Sequence, residues 1–438
     1  MVKSNNKAKH EEDEKIPVRE LCCEVIKQVY GGHLKFFEGS FCSYLNGYWP
    51  KLQMADVQKQ VLNTYKTLPL PTVRQIVETL MVLCAVDAME PPSGEMSRYL
   101  AFENGTLDLN TGTLIEHDSS LNLRTGFNFK WDEDASCDLW VNTLLDIFEN
   151  DPDILQRIEF LQEYFGYCLT PDVSQQMFLW LVGKGSNGKS LILKILTALV
   201  GVKNVSNAKL ERLGNSFVRA QLQGKLVNIS SEMSANSTVS DGYLKEIVSG
   251  DRIEAEHKGL PSFSFTPFVK LVGATNILPR LLDTSDGFFR RAAILEMTRQ
   301  FSVQERDIEL EVKLCTEIQG IATWAVEGLI RMQKRGFFNL PASTKSAAAQ
   351  YRKESDHVLS FTTDACKPSD RGVKPSILFD SYKRYARDYN FAMLNITTFG
   401  KRLAAAGIAK RRSDGSDYWL LEPIQSPKKS IPLEEFID

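Results

Sequence analysis

Apolar positions change their period several times along the 438-residue chain, and each change marks an element boundary. Residues 1–18 carry few apolar groups and many charges, which predicts a solvated, disordered tail. Helical spacing follows at 55–66 and 72–88, preceded by the aromatic, turn-rich stretch FFEGSFCSYLNGYWP. Between 99 and 130 the period shortens. Asn104-Gly105 and Asn110-Thr111-Gly112 separate short alternating runs there, which predicts β-hairpins. Two helices are expected near 137–149 and 151–168. Residues 177–182 (MFLWLV) are apolar without alternation, as in a strand buried on both faces. From 173 to 300 strand and helix patterns alternate, as in a parallel sheet. Amphipathic helices are expected over 306–335 and 343–355, then a compact basic module over 356–422. Within that module 375–389 and 395–408 read as helices, the second capped near Thr397 or Thr398. Residues 409–421 read as a hairpin turning at Ser-Asp-Gly-Ser.

Composition adds mostly exclusions. Hydrophobic residues make up 43% and charged residues 24%, the values of an ordinary globular protein. No apolar run reaches the length of about eighteen residues needed to cross a membrane, and the charged N-terminus lacks the apolar core of a secretory signal. The eight cysteines show no C-x-x-C spacing and the five histidines are dispersed, so neither a zinc site nor a disulfide framework is expected. These features point to the cytoplasm. Net charge is −3, so contact with nucleic acid would depend on local basic patches.

The apolar run at 177–182 delivers a phosphate-binding pattern. Gly183, Lys184, Gly185, Ser186, Asn187, Gly188, Lys189 and Ser190 fit G-x-x-x-x-G-K-S between a strand and a helix beginning near Leu191. Backbone N–H groups in such a loop turn toward phosphate oxygens, and the helix start adds its positive dipole end. Lys189 would neutralise β/γ-phosphate charge and Ser190 would hold Mg²⁺, so ATP and Mg²⁺ are the expected cofactors. A plain glycine turn is the competing reading. Three further strands should bring polar groups to the same place. KLVNIS (225–230) leads to Ser231 and Glu232, the acid expected to hold Mg²⁺ or polarise water. VKLVGAT (269–275) ends on Asn276, placed to orient that water. DGFFRRAAILEM (286–297) offers Arg290 and Arg291, either of which could reach a neighbouring subunit's γ-phosphate.

Two basic features point beyond the nucleotide. Extended runs at 252–257 and 262–268 flank Lys258-Gly259-Leu260-Pro261, a hairpin with an exposed tip whose His257 and Lys258 would touch nucleic acid unless it is an ordinary surface hairpin. Between Lys383 and Arg412 eight Lys/Arg face one acid, Asp388. Lys401 and Arg402 would lie on a groove-facing helix, and Lys410, Arg411 and Arg412 would grip phosphates from the wing.

In order, GKGSNGKS, NISSEM, KEIVSGDRIEAEHKG, KLVGATN and GFFRR resemble the superfamily 3 helicases of phages, plasmids and large DNA viruses, in the branch of the phage and poxvirus primase-helicases. The resemblance covers roughly 40–422. Ser231 stands where relatives often carry a first acid, and Ser249 where a glycine is commoner. The implied fold is α/β: a P-loop AAA+-type parallel-sheet ATPase core with an N-terminal α+β domain and a C-terminal winged-helix module. The implied division is 19–150 for the first domain, 151–335 for the core with its helical bundle, 336–355 for a connecting helix, 356–425 for the winged module and 426–438 for a tail. The implied activity is ATP-driven unwinding of DNA in replication by a hexameric ring on single-stranded and forked DNA, in a host cell's cytoplasm, with a separate primase or polymerase as partner. Priming itself is not expected, since the residues ahead of the covered region are few and hold no strand-borne acidic pair. A nucleotide-switched origin- or promoter-binding ATPase is the alternative. A small-molecule P-loop kinase would have no use for the basic module.

Overall fold

The computed structural model describes residues 17–89, 97–231, 238–239, 241–259, 261–281, 286–389, 391 and 393–424. Apart from residues 17 and 18, the expected tails lie outside these. So does Glu232.

The first unit comprises α1 (Val18–Tyr30), β1 (Leu34–Phe37), β2 (Ser40–Ser43), β3 (Lys51–Leu52), α2 (Met54–Thr64) and α3 (Leu70–Leu83). Its three strands form an antiparallel sheet, and Leu21, Val25, Phe41, Val57, Val61, Ile76 and Leu80 close a separate core. The helical pattern expected to 88 stops at Leu83. Phe36 of β1 donates to the Cys84 carbonyl at 2.7 Å and accepts from Val86 at 3.0 Å, so the chain joins a sheet edge instead of adding a turn.

A meander follows, β4 (Tyr99–Phe102), β5 (Gly105–Asp108) and β6 (Thr113–Ile115), then α4 (Asp138–Ile147) and α5 (Ile154–Cys168). The central region holds β7 (Phe178–Val182), α6 (Lys189–Val200), β8 (Val205–Ser206), α7 (Ser216–Arg219), β9 (Val227–Ser231), β10 (Thr238–Val239), α8 (Asp241–Ser249), β11 (Ile253–Ala255), β12 (Phe263–Phe265), β13 (Lys270–Thr275), β14 (Arg280–Leu281), α9 (Asp286–Phe289) and β15 (Ala292–Glu296). Five of these strands make one parallel sheet in the order β15-β7-β13-β9-β8. Both faces are covered, which is why β7 shows no alternation. Leu179 and Leu181 enter one core with α5, α6 and the later helices α10 (Leu310–Thr316) and α11 (Ile318–Arg335). Phe178 and Trp180 enter a second core with α8 and α12 (Ala342–Ser355). The first of these cores also takes in Leu100, Phe102, Trp140, Leu144 and Phe148, so packing is continuous across the boundary expected at 150.

The last unit is α13 (His357–Asp364), β16 (Cys366–Val373), α14 (Pro375–Asp388), α15 (Ile396–Ala405), β17 (Lys410–Ser413) and β18 (Ser416–Pro423). Its antiparallel sheet runs β16-β18-β17 over a core of Phe361, Leu378, Tyr382, Phe399, Leu403 and Trp419. The β17–β18 turn puts Asp414 and Gly415 at φ 51° and 73°, the left-handed pair a two-residue hairpin loop requires. The cap of α15 is Asn395, whose side chain accepts from the Thr398 amide at 2.8 Å, and neither Thr397 nor Thr398 serves as cap. No helix among the described residues is long and apolar enough to cross a membrane.

Candidate nucleotide-binding site

The loop after β7 has no room for a side chain at two of its glycines. A Cβ on Gly183 would sit 2.0 Å from the Asn187 amide nitrogen, and one on Gly188 would strike Ile147 at 2.6 Å. Gly188 and Gly185 also take positive φ (85° and 106°). Gly188 turns the chain into α6, which begins at Lys189, two residues earlier than its apolar pattern suggests. The loop and the ends of two strands line a cleft of about 540 Å³ formed by Gly185–Leu191, Leu193, Ser231 and Ala274–Asn276.

Lys189 is 8% exposed, and its ammonium is held by oxygens: the Gly183 carbonyl at 2.5 Å, Asn187 Oδ1 at 3.0 Å and Asn276 Oδ1 at 3.4 Å. Burial keeps its pKa below the ordinary lysine value. No carboxylate meets it among the described residues, so this cation is satisfied by dipoles and free to accept an anion. Asn187, 2% exposed, uses its other end to donate to the Met297 carbonyl at 3.3 Å just beyond β15. Gly183 N donates to the Thr275 carbonyl at 3.2 Å, tying the loop to the end of β13. Ser186, at φ 50°, is braced by two contacts: its carbonyl accepts from Phe301 N at 2.7 Å and its hydroxyl from Arg306 at 2.8 Å. Lys184 and Ser190 complete the loop, and Ser190 is exposed in the cleft.

These features suit a phosphate group: a loop with glycines at its two tightest positions, a desolvated lysine and a helix start. Two hydroxyls, Ser190 and Ser231, also line the cleft, and hydroxyl oxygen suits Mg²⁺, which keeps several of its own waters. Ser231 and Asn276 arrive together because β9 and β13 are parallel neighbours, Ala274 lying opposite Ser231. Glu232, the next residue after Ser231, lies outside the described residues.

The two arginines part company. Arg291 is turned inward, donating to the Gly287 carbonyl at 2.7 Å, to Gln176 Oε1 at 2.8 Å and to Ser249 Oγ at 3.0 Å. Arg290 is exposed. The Ser249 hydroxyl therefore has a use at a position where the resemblance leads one to expect glycine.

Sequence reasoning missed the brace behind the site. Arg157, 3% exposed, pairs with Asp151 and Asp153 at 2.8 Å each, donates to the Glu296 carbonyl at 2.5 Å and meets Ser343 of α12 at 3.1 Å. It fixes the end of β15 one residue before the Met297 carbonyl that holds Asn187. In the sequence Arg157 looks like any polar position on an amphipathic helix, and only its later partners mark it out.

At the hairpin β11 and β12 pair antiparallel, Ile253 opposite Phe265 and Ala255 opposite Phe263. The tip is not uniformly exposed as expected. His257 is half-buried with its ring stacked on Phe263 (5.0 Å, 20°), while Lys258 is exposed. In the last unit Lys401 and Lys410 line a groove of about 380 Å³ with Pro375, Ile396, Phe399 and Trp419, and the Lys410 ammonium lies 4.3 Å over the Trp419 ring. Arg411 and Arg412 are exposed on β17, Arg411 donating to the Arg371 carbonyl at 3.2 Å. Arg402 instead reaches back to Asp356 at 3.8 Å, so the structure separates it from its neighbour Lys401.

Comparison with known proteins gives the following similarities. Residues 24–149 match the family described as D5 N terminal like, and residues 181–291 match a family of unknown function (DUF5906). The putative helicase L207/L206 of Acanthamoeba polyphaga mimivirus is 23% identical over 322 residues, covering 67% of this chain and 33% of that protein. The putative helicase 121R of Invertebrate iridescent virus 3 is 26% identical over 228 residues, 48% of this chain and 24% of that protein. The chain thus spans no more than about a third of these relatives. The apo structure of the NrS-1 C-terminal region aligns over 90% of this chain and 97% of that one, with a TM-score of 0.49 and 13% identity. The chain is similar to helicase-like proteins of large DNA viruses.

Proposed function

We propose that the chain is an ATP-dependent replicative DNA helicase of a virus, phage, plasmid or other mobile element, of the superfamily 3 type, acting as a hexameric ring on single-stranded and forked DNA. The observation that carries this reading is the cleft in which Lys189 lies 3.4 Å from Asn276, in a chain similar to putative viral helicases. The sheet order, with β13 between the phosphate-loop strand and the strand leading to Glu232, supports an AAA+-type core. The succession helix, strand, two helices and hairpin over 357–423 supports a winged-helix module, with Lys401 and Lys410 toward DNA.

On this reading the loop amides and Lys189 bind the β- and γ-phosphates, Lys189 exchanging its carbonyl partners for phosphate oxygen. Ser190 and Glu232 would hold Mg²⁺, which when bound would offset the charge of the phosphates. Asn276 orients the attacking water and Glu232 takes its proton, and Arg290 of a neighbouring subunit meets the developing γ-phosphate charge. The alternative, an origin- or promoter-binding ATPase that only switches state, is favoured by Ser231: a hydroxyl where relatives often carry a carboxylate would weaken hydrolysis. Strand displacement on a forked duplex separates the two. The parent should unwind with ATP and Lys189→Ala should not. ATP-dependent DNA binding without any strand displacement would favour the switch.

A further inference from the structure

One short segment, residues 216–223, fastens the hairpin to the N-terminal unit. At one end the Ser216 carbonyl accepts from Glu256 N at 3.3 Å, and its hydroxyl donates to Glu256 Oε2 at 3.0 Å. Midway, Arg219 donates to the Glu254 carbonyl of β11 at 2.8 Å. At the other end Gln223 donates to the Glu38 carbonyl at 2.7 Å and accepts from the Lys51 ammonium of β3.

Two cations of this seam have neutral partners. Lys51 is half-buried on a side-chain amide, and Lys225, also half-buried, donates to the Lys203 carbonyl at 2.5 Å. The Glu38 carboxylate is engaged by Arg124 at 3.3 Å. Neither Lys51 nor Lys225 has a carboxylate within ion-pair distance among the described residues. Burial, with Lys225 adding to it, pulls Lys51 down to about 8, while burial and Lys51 together hold His257 below its ordinary value. Half-buried ammonium groups without a counterion cost stability, and a fold that keeps them has them poised for an anion. Lys51 lies on β3 and Lys225 just ahead of β9, strands separate from the hairpin that the 216–223 segment fastens to the N-terminal unit, so they suit an extended polyanion better than a compact one.

We propose that Lys51 and Lys225 continue the hairpin's Lys258 as one track, along which the phosphates of a single nucleic-acid strand pass from the hairpin tip onto the N-terminal sheet. This rests on the helicase reading of the hairpin. The test titrates the full-length chain with a fluorescein-labelled oligo-dT across a range of salt, comparing the parent, a Lys51→Gln/Lys225→Gln variant, Lys51→Arg and Lys258→Ala. The double variant should bind about tenfold more weakly, with a salt slope shallower by about 1.4, two phosphates at roughly 0.7 each for single strands. Lys51→Arg should bind as the parent does. The thermal midpoint of the double variant should be no lower than the parent's, since two buried charges are gone, so weak binding is not misfolding. Parental affinity and slope in the double variant, with Lys258→Ala weakened, overturns the track and leaves the helicase reading standing. Parental behaviour in both overturns the track together with that reading of the hairpin.

Discussion

Side chains around Lys189 work as a relay of carbonyl and amide dipoles, and Asn187 is its hinge. Its carbonyl oxygen holds the Lys189 ammonium and its amide holds Met297. Asn187→Ala leaves two buried groups short of a partner, about 1–3 kcal/mol in comparable cases, so affinity for a fluorescent ATP analogue should fall by about tenfold or more. Parental affinity would reduce Asn187 to a space-filler. Arg157 is one step further back. Arg157→Ala strands Asp151 and Asp153 in a buried site, and removal of one partner from a buried pair costs about 3–5 kcal/mol, a loss to be read as a lower denaturation midpoint. The phosphate loop was legible in the sequence because its spacing and flanks are local. Asn187's double duty and Arg157's brace were not, because their partners at 296–298 and 343 lie far along the chain.

Elements were read best where one period and one local signal agreed. The unbroken apolar run of β7, the Asp414-Gly415 turn and the paired arms at 253–255 and 263–265 lie where the pattern put them. Ends were read less well, because long-range partners decide them: Phe36 takes over the backbone after Leu83, and Asn395 captures the Thr398 amide ahead of the threonines. Exposure at the tip was also misjudged, since only the fold brings Phe263 beneath His257. The last unit offers a prediction at this scale. Its groove presents Lys401 and Lys410 on two different elements, so removing both should weaken forked-DNA binding while DNA-free ATPase persists. The salt slope on duplex should fall by about 0.9 for each phosphate that is no longer neutralised. An unchanged slope would assign this groove to a partner other than DNA.

At the scale of the whole molecule the question is whether a neighbouring chain completes the proposed ATP site. Arg291 is spent within its own chain on Gly287, Gln176 and Ser249, at the end of the helix from which the hairpin departs. Arg290 is exposed. If catalysis is shared, Arg290 is the residue that crosses to the neighbour, and Arg291 keeps the corner rigid. Arg291→Ala should then lower the thermal midpoint, while Arg290→Ala should leave it near the parent's and lose ATPase activity by about a hundredfold, the scale for one electrostatic stabiliser. Mixing sharpens this. Lys189→Ala chains keep Arg290 but lack a working loop, and Arg290→Ala chains keep the loop. Each is inactive alone, yet rings containing both should regain ATPase activity at interfaces where an intact loop faces an intact arginine. Mass measurement confirms that the rings are mixed. Recovery that rises and then falls with the mixing ratio is the expected result. Mixed rings that stay inactive at every ratio would place the arginine's work within one chain and remove the case for a shared site.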